Sequence, residues 1–295
     1  MVLNPARLDS WAREIIVDPL AKGPLIEDRS NNRYLSPYGR QYPITNGVLD
    51  LRLLNNHTTP DQTRWSRGQS EYEEWSRSLI AGDHLKNYQS EIEQVREVYA
   101  DMPVVGKCLD VGGHQGRLRQ FLSAGQPYIS CDPFIDVFAD LEKQPNLLEA
   151  FPFLAEPVNF VCCDAEFLPF QSVAFDTVHM RSVIDHLLSP ELALNEAYRV
   201  LGGGGVLIVG LWVKGKPGTR ARHDAKSLAR EMLARAGVRR FVDHHVWHPT
   251  YAELIRLIRE CGFEIDRVHW QKGHEDNVCY IRAIKSDGLI RGLVR

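Results

Sequence analysis

The feature that most limits what this 295-residue chain can become is an alternation of short apolar runs with helical stretches after residue 83. The runs fall at 107–111, 128–131, 159–163, 175–180 and 206–211, and each predicts a strand. Helices are predicted between them at 116–123 and 190–201. The second has Ser189 as its N-cap and Pro190 at its first position. Upstream, Leu85, Tyr88, Ile92, Val95 and Tyr99 recur every three or four residues, which gives one apolar helix face. Downstream, Thr250 and Glu253 form a capping box, and Cys261-Gly262 supply a helix stop. The runs 263–270 and 277–284 then read as a closing antiparallel pair. Strands separated by crossover helices run parallel and are covered on both faces. The predicted fold class is therefore α/β: a doubly wound, mainly parallel sheet of seven strands whose last strand is antiparallel.

In such a sheet ligands bind beyond the carboxyl ends of the strands, near the point where strand order reverses. The first strand runs into LDVGGHQG at 109–116, where Gly112, Gly113 and Gly116 allow a tight turn and a close backbone approach. A glycine-rich turn alone is a weak signal. Its companions make it stronger, because the second strand ends in Asp132, placed to accept from two ribose hydroxyls. The third ends in Asp164-Ala165-Glu166, where a carboxylate can accept from an adenine amino group. The run at 202–205 is also glycine-rich, but it lies between helix and strand and reads as a turn.

With LDVGGHQG, Asp132, CDAEFLPFQSVAFDTV (163–178) and NEAYRVLGGGGVLIV (195–209) in this order, the chain resembles the class I S-adenosylmethionine-dependent methyltransferases, in their small-molecule subgroup. The resemblance covers about 104–284 and implies a Rossmann-like sheet with S-adenosylmethionine as cofactor. It places the methionine part of the cofactor on Asp110, Gly112, Gly113 and His114, the ribose on Asp132, and the adenine on Asp164 and the Ala165 backbone. Arg181, ending the fourth strand, is a candidate for the cofactor carboxylate or an acidic substrate. His114 departs from the family pattern, which has a small residue followed by a second glycine across the places of Gly113 and His114. Either the loop bends differently here or the imidazole faces the cofactor.

Residues 1–54 read as a small β-rich module, 55–82 as a linker, 83–285 as the methyltransferase domain and 286–295 as a tail. KGPL (22–25) and GRQYPITNGVLDL (39–51) resemble the zinc-ribbon-like domain that accompanies some methyltransferases. Its cysteine places fall on Asp18, Ala21, Leu35 and Tyr38, so no zinc is expected.

A hydroxyl acceptor needs a proton acceptor near neutral pH, and His186 after the fourth strand is the candidate base. A histidine that only packs beneath the cofactor is the alternative. His245 and His248 in DHHVWH read as acceptor-pocket residues, because no local spacing there matches a dedicated metal site. Over 213–240 Lys and Arg outnumber Asp and Glu by nine to two. The segment 213–248 reads as an acceptor lid, and Arg220 and Arg222 point to an anionic acceptor such as a nucleotide-linked sugar. A solvated basic helix face explains the same charges equally well.

A net charge of -3 argues against nucleic acid as the main partner, and the absence of a long apolar run argues against a membrane span. Six cysteines without a C-x-x-C pair suit buried thiols in a cytoplasmic protein. The expected function is O-methylation of a small molecule or glycan precursor. An RNA base methyltransferase and a non-catalytic cofactor-binding partner are the alternatives.

Overall fold

Every residue of Cys108–Val111, Tyr128–Asp132 and Val158–Cys162 is buried, as strands covered on both faces must be. The computed structural model describes residues 4–54, 63, 66–71, 73–74, 84–217, 232–233, 245–275 and 277–286. The strands are β1 (Ala6–Arg7), β2 (Ile26–Asp28), β3 (Arg33–Leu35), β4 (Gln41–Thr45), β5 (Val48–Asp50), β6 (Cys108–Val111), β7 (Tyr128–Asp132), β8 (Val158–Cys162), β9 (Phe175–Arg181), β10 (Leu201–Trp212), β11 (Phe263–Trp270) and β12 (Val278–Lys285). The helices are α1 (Ser10–Glu14), α2 (Leu85–Asp101), α3 (Pro145–Ala150), α4 (Pro190–Val200) and α5 (Tyr251–Glu260).

One sheet runs in the order β11-β12-β10-β9-β6-β7-β8-β5-β4-β3-β2. Pairing is parallel from β10 through β9, β6, β7 and β8 to β5, and antiparallel where β12 meets β10 and β11. Alternate residues of the central strands feed two cores. Leu109, Ile129 and Val161 pack with Ala12, Leu194 and Leu254 of α1, α4 and α5. Cys108, Tyr128 and Phe160 pack with Val95 and Leu147 of α2 and α3. The period-2 alternation of the strands therefore divides the interior into two layers. Both expected caps form. Ser189 accepts from the Leu192 amide, and Thr250 and Glu253 exchange the bonds of a capping box.

Four expectations are corrected. The described sheet has 12 strands rather than seven. The first 54 residues are not a separate module, because β1 and β5 both add in parallel to the edge of β8. Edge pairing satisfies backbone groups that a separate module would leave to solvent. The segment expected as a helix at 116–123 holds only a 3₁₀ stretch, Arg117–Phe121, entered from Gly116 at φ 85°. The glycine run at 202–205 lies inside β10, whose register on β9 shifts between Leu201 and Val206. Glycines absorb the irregularity that the extra residues impose. The expected linker is helical where it is described, at 63, 66–71 and 73–74, and 55–62, 64–65, 72 and 75–82 lie outside the described residues.

At the first of the places compared with zinc-ribbon cysteines, Asp18, wholly buried, closes its own turn by accepting from the Leu20 and Ala21 amides at 2.9 and 2.7 Å and from the Tyr42 hydroxyl at 3.0 Å. All six cysteines are free and buried, as expected. Among the described residues no helix is long and apolar enough to cross a membrane.

Candidate active site

Strand order reverses between β6 and β9, and a cleft opens at the carboxyl ends of the strands around that point. Its wall takes Val111 at the end of β6 and Gly112 after it, Asp132 at the end of β7 and Pro133 after it, Asp164 and Ala165 after β8, and Ser182, Val183 and His186 after β9.

Two buried carboxylates face this cleft. Asp132 accepts from the His114 amide at 3.2 Å and the Phe134 amide at 2.9 Å, and burial pushes its carboxyl up to about 7. Asp164 uses one oxygen, Oδ2, to accept from the Leu53 and Leu54 amides at 2.6 and 2.9 Å. Its other oxygen, Oδ1, is buried and has no donor among the described residues, and burial raises the group above the usual carboxylate range. An unmet buried acceptor is costly, so Oδ1 is set to take an N–H from a ligand. The N-terminal strands thus hold one side of Asp164 and leave the other for the cleft. Glu166, also in the wall, is raised by burial to about 7 and accepts from the Leu188 and Ser189 amides, which fixes the entry to α4.

The loop after β6 explains the departure at position 114. Gly112 has φ 67°, and a Cβ there would lie 2.3 Å from Val183 Cγ2. His114 has φ 49°, the left-handed region that favours glycine. Glycine adopts such a dihedral freely, and histidine adopts it here at a cost. The His114 ring lies 5.7 Å from that of Phe134, and its carbonyl accepts from Ser130 Oγ at 2.9 Å. Burial and the nearby Arg117 charge push the imidazole down to about 4, so it is neutral at pH 7. His114→Gly should leave stability unchanged or raise it by up to about 1 kcal/mol, whereas β-branched His114→Val should lower it by about 2 kcal/mol. Urea unfolding midpoints check the order. A Val variant as stable as the Gly variant would contradict the backbone explanation.

The structure brings Gly112, Asp132, Asp164, Ala165 and His186 into one wall; Asp110, Gly113, His114 and Arg181 are not part of it. Asp110 is turned inward, 2.7 Å from His179 Nδ1 and accepting from the Tyr128 hydroxyl at 2.6 Å. Arg181 donates to Glu91 of α2 at 2.6 Å. His245 comes to His186, their ring centroids 4.4 Å apart, and His248 stands 5.3 Å beyond it. Between them lies Asp185, 5% exposed, with Oδ2 3.4 Å from His245 Nε2 and Oδ1 4.0 Å from His186 Nε2. Arg220 and Arg222 lie outside the described residues, as does most of the basic segment. Sequence reasoning missed Gly68 and Gln69, which reach the wall from the stretch read as linker, and Ser182, which takes φ 53° there. A non-glycine residue carries no sequence signal for that dihedral.

Residues 109–209 match the family model described as a methyltransferase domain. The chain is 29% identical over 175 residues to the mitochondrial 2-methoxy-6-polyprenyl-1,4-benzoquinol methylase of Caenorhabditis elegans, covering 55% of this chain and 60% of that protein. It is 45% identical over 105 residues to a ubiquinone/menaquinone biosynthesis C-methyltransferase of Ruegeria, covering 35% and 41%. The chain thus spans less than two thirds of either relative. Among solved structures, the Burkholderia thailandensis 1,6-didemethyltoxoflavin-N1-methyltransferase, bound to 1,6-didemethyltoxoflavin and S-adenosylhomocysteine, aligns with a TM-score of 0.48 and 15% identity over 83% of this chain and 98% of that one.

Proposed function

We propose that this chain, which carries a methyltransferase domain over residues 109–209, transfers the methyl group of S-adenosylmethionine to a hydroxyl-bearing small molecule bound beside His186. The observation that carries the reading is the pair of buried carboxylates at adjacent strand ends, Asp132 and Asp164, facing one cleft, with an Asp164 oxygen that has no donor among the described residues. The residues present fit the cofactor: Asp132 would accept from the ribose hydroxyls, Asp164 Oδ1 would accept from the adenine amino group, and Gly112 would let backbone approach the methionine end. When bound, S-adenosylmethionine supplies an electrophilic methyl on a sulfonium.

The chain's own contribution is alignment and proton removal. Holding acceptor and methyl donor in line supplies most of the catalysis in a displacement of this kind. His186 lies in the wall past β9 and accepts the acceptor's hydroxyl proton on a ring nitrogen. Asp185 beneath it steadies the positive charge of the His186–His245 pair. The oxygen so activated is the methylated atom. Methylation of a carbon next to that oxygen is the second reading, because both curated relatives are named for quinone biosynthesis or a benzoquinol. Loss of a phenolic proton also makes the adjacent ring carbon nucleophilic, so the same base serves both outcomes.

A screen of phenolic and sugar hydroxyl acceptors with methyl-labelled S-adenosylmethionine tests the reading, and the product's methyl carbon shift separates oxygen from carbon attachment. His186→Ala should lower turnover by about 100- to 10,000-fold while cofactor affinity by calorimetry stays within about threefold. Turnover retained in that variant removes the base role.

A further inference from the structure

Asp185, His186 and His245 offer three ligand atoms that all lie within 4.8 Å of one another, from two segments far apart in the sequence. We propose that they form a site for one borderline divalent transition-metal cation such as Zn²⁺ at the edge of the cleft.

Three observations support the site. Asp185 is more than nine-tenths buried, and among the described residues its Oδ1 has no hydrogen-bond partner, while both imidazoles lie against the carboxylate. The spacing already approaches coordination geometry: His245 Nε2 is 3.4 Å from Oδ2 and His186 Nε2 is 4.0 Å from Oδ1. Ligands about 2.0–2.2 Å from a tetrahedral cation stand about 3.3–3.5 Å apart, so side-chain rotation closes the difference. The backbone also holds the histidine segment in place. The Val246 and Trp247 amides both donate to the Asp185 carbonyl, at 2.8 and 3.1 Å, and so fix His245 against the carboxylate it would share a metal with.

The donor set selects the cation. Two neutral imidazoles and one carboxylate suit Zn²⁺, Co²⁺, Ni²⁺ or Fe²⁺ and are a poor set for Mg²⁺ or Ca²⁺, which prefer oxygen. Three protein ligands leave a coordination position open, and His186 is in the cleft wall, so the open position adjoins the acceptor side. Metal binding stands apart from the methyl-transfer reading. It competes with the proton-acceptor role of His186 in that reading and with the support that Asp185 and His245 give it, since a bound cation takes the same lone pairs.

The test is Zn²⁺ titration of the full, untagged chain at pH 7.5 against a chromophoric chelator, with Mg²⁺ as the hard-cation control. One Zn²⁺ per chain at micromolar affinity or tighter is expected, weakened at least 100-fold in Asp185→Asn and in His245→Gln, with no Mg²⁺ binding. Because Asp185 is buried, its variant is checked by circular dichroism. His245, part-exposed, provides a variant that spares the core. Absence of Zn²⁺ binding, or affinity unchanged in His245→Gln, overturns the proposal, since other surface histidines would then hold the metal. S-adenosylmethionine calorimetry on the same samples reads the cofactor site separately, so failure of one proposal is not mistaken for failure of the other.

Discussion

Asp132→Ala is expected to weaken S-adenosylmethionine binding by about two to four powers of ten. A buried carboxylate taking hydrogen bonds from two ribose hydroxyls makes charge-assisted bonds of about 1.5–3 kcal/mol each. Removing both costs about 3–6 kcal/mol, and each 1.4 kcal/mol is about a factor of ten in affinity. The substitution also leaves the His114 and Phe134 amides without their acceptor, so Asp132→Asn is the companion variant that keeps an oxygen in place. The pH dependence gives a second readout. Burial raises the Asp132 carboxyl to about 7, so it is largely protonated at pH 6 and ionised at pH 8. The ionised form is the better acceptor, and cofactor affinity should therefore rise with pH across that window in the native chain and rise less in Asp132→Asn, where Glu166, also raised to about 7, still titrates in the wall. Calorimetry at pH 6, 7 and 8 measures both effects. A loss below about threefold in the alanine variant would mean that the cofactor lies elsewhere.

Asp110→Ala should be the most destabilising of the single changes considered, at about 3–5 kcal/mol. The side chain sits within a buried chain of polar groups: Tyr99 of α2, His179 of β9, Asp110 of β6 and Tyr128 of β7. The Tyr99 hydroxyl is 2.9 Å from His179 Nε2, and Asp110 bridges His179 Nδ1 and the Tyr128 hydroxyl. Asp110 and His179 are each about 3% exposed. Removing the carboxylate strands two polar groups inside the protein, and breaking a buried charged network in this way costs far more than losing one surface bond. Burial raises the Tyr128 hydroxyl well above its ordinary range, so it remains protonated and keeps donating at any moderate pH. Urea unfolding should show the loss, with Asp110→Asn intermediate because it still accepts one bond. A change under 1 kcal/mol would remove the structural role. Cofactor affinity per folded chain should fall less than in Asp132→Ala, because the Asp110 carboxylate is spent on His179 and Tyr128.

That contrast shows how far local sequence reaches. Asp110 and Asp132 look alike in one dimension, an acidic residue at or near the end of a buried run. Asp110 is the third residue of its strand and points sideways to neighbours in β7 and β9, whereas Asp132 closes β7 and points into the cleft. A difference of one or two positions along a strand changes the face and the depth of a side chain. Arg181 is a similar case: its place at a strand end was legible, but Glu91 on α2 decides where its charge goes.

The sequence by itself determined the parallel core, the capped helices α4 and α5, the antiparallel close of β12, and the carboxylates Asp132 and Asp164. These follow from local rules: buried parallel strands read as apolar runs, caps have fixed spacing, and strand ends in a doubly wound sheet face the ligand. Tertiary structure alone decided the rest. It added the N-terminal strands to the edge of β8, turned Asp164 Oδ2 to the Leu53 and Leu54 amides, and brought His245 beside Asp185 and His186. Local rules carry no information about which distant segment supplies a partner. Edge pairing and a shared carboxylate become visible only when the whole chain has packed.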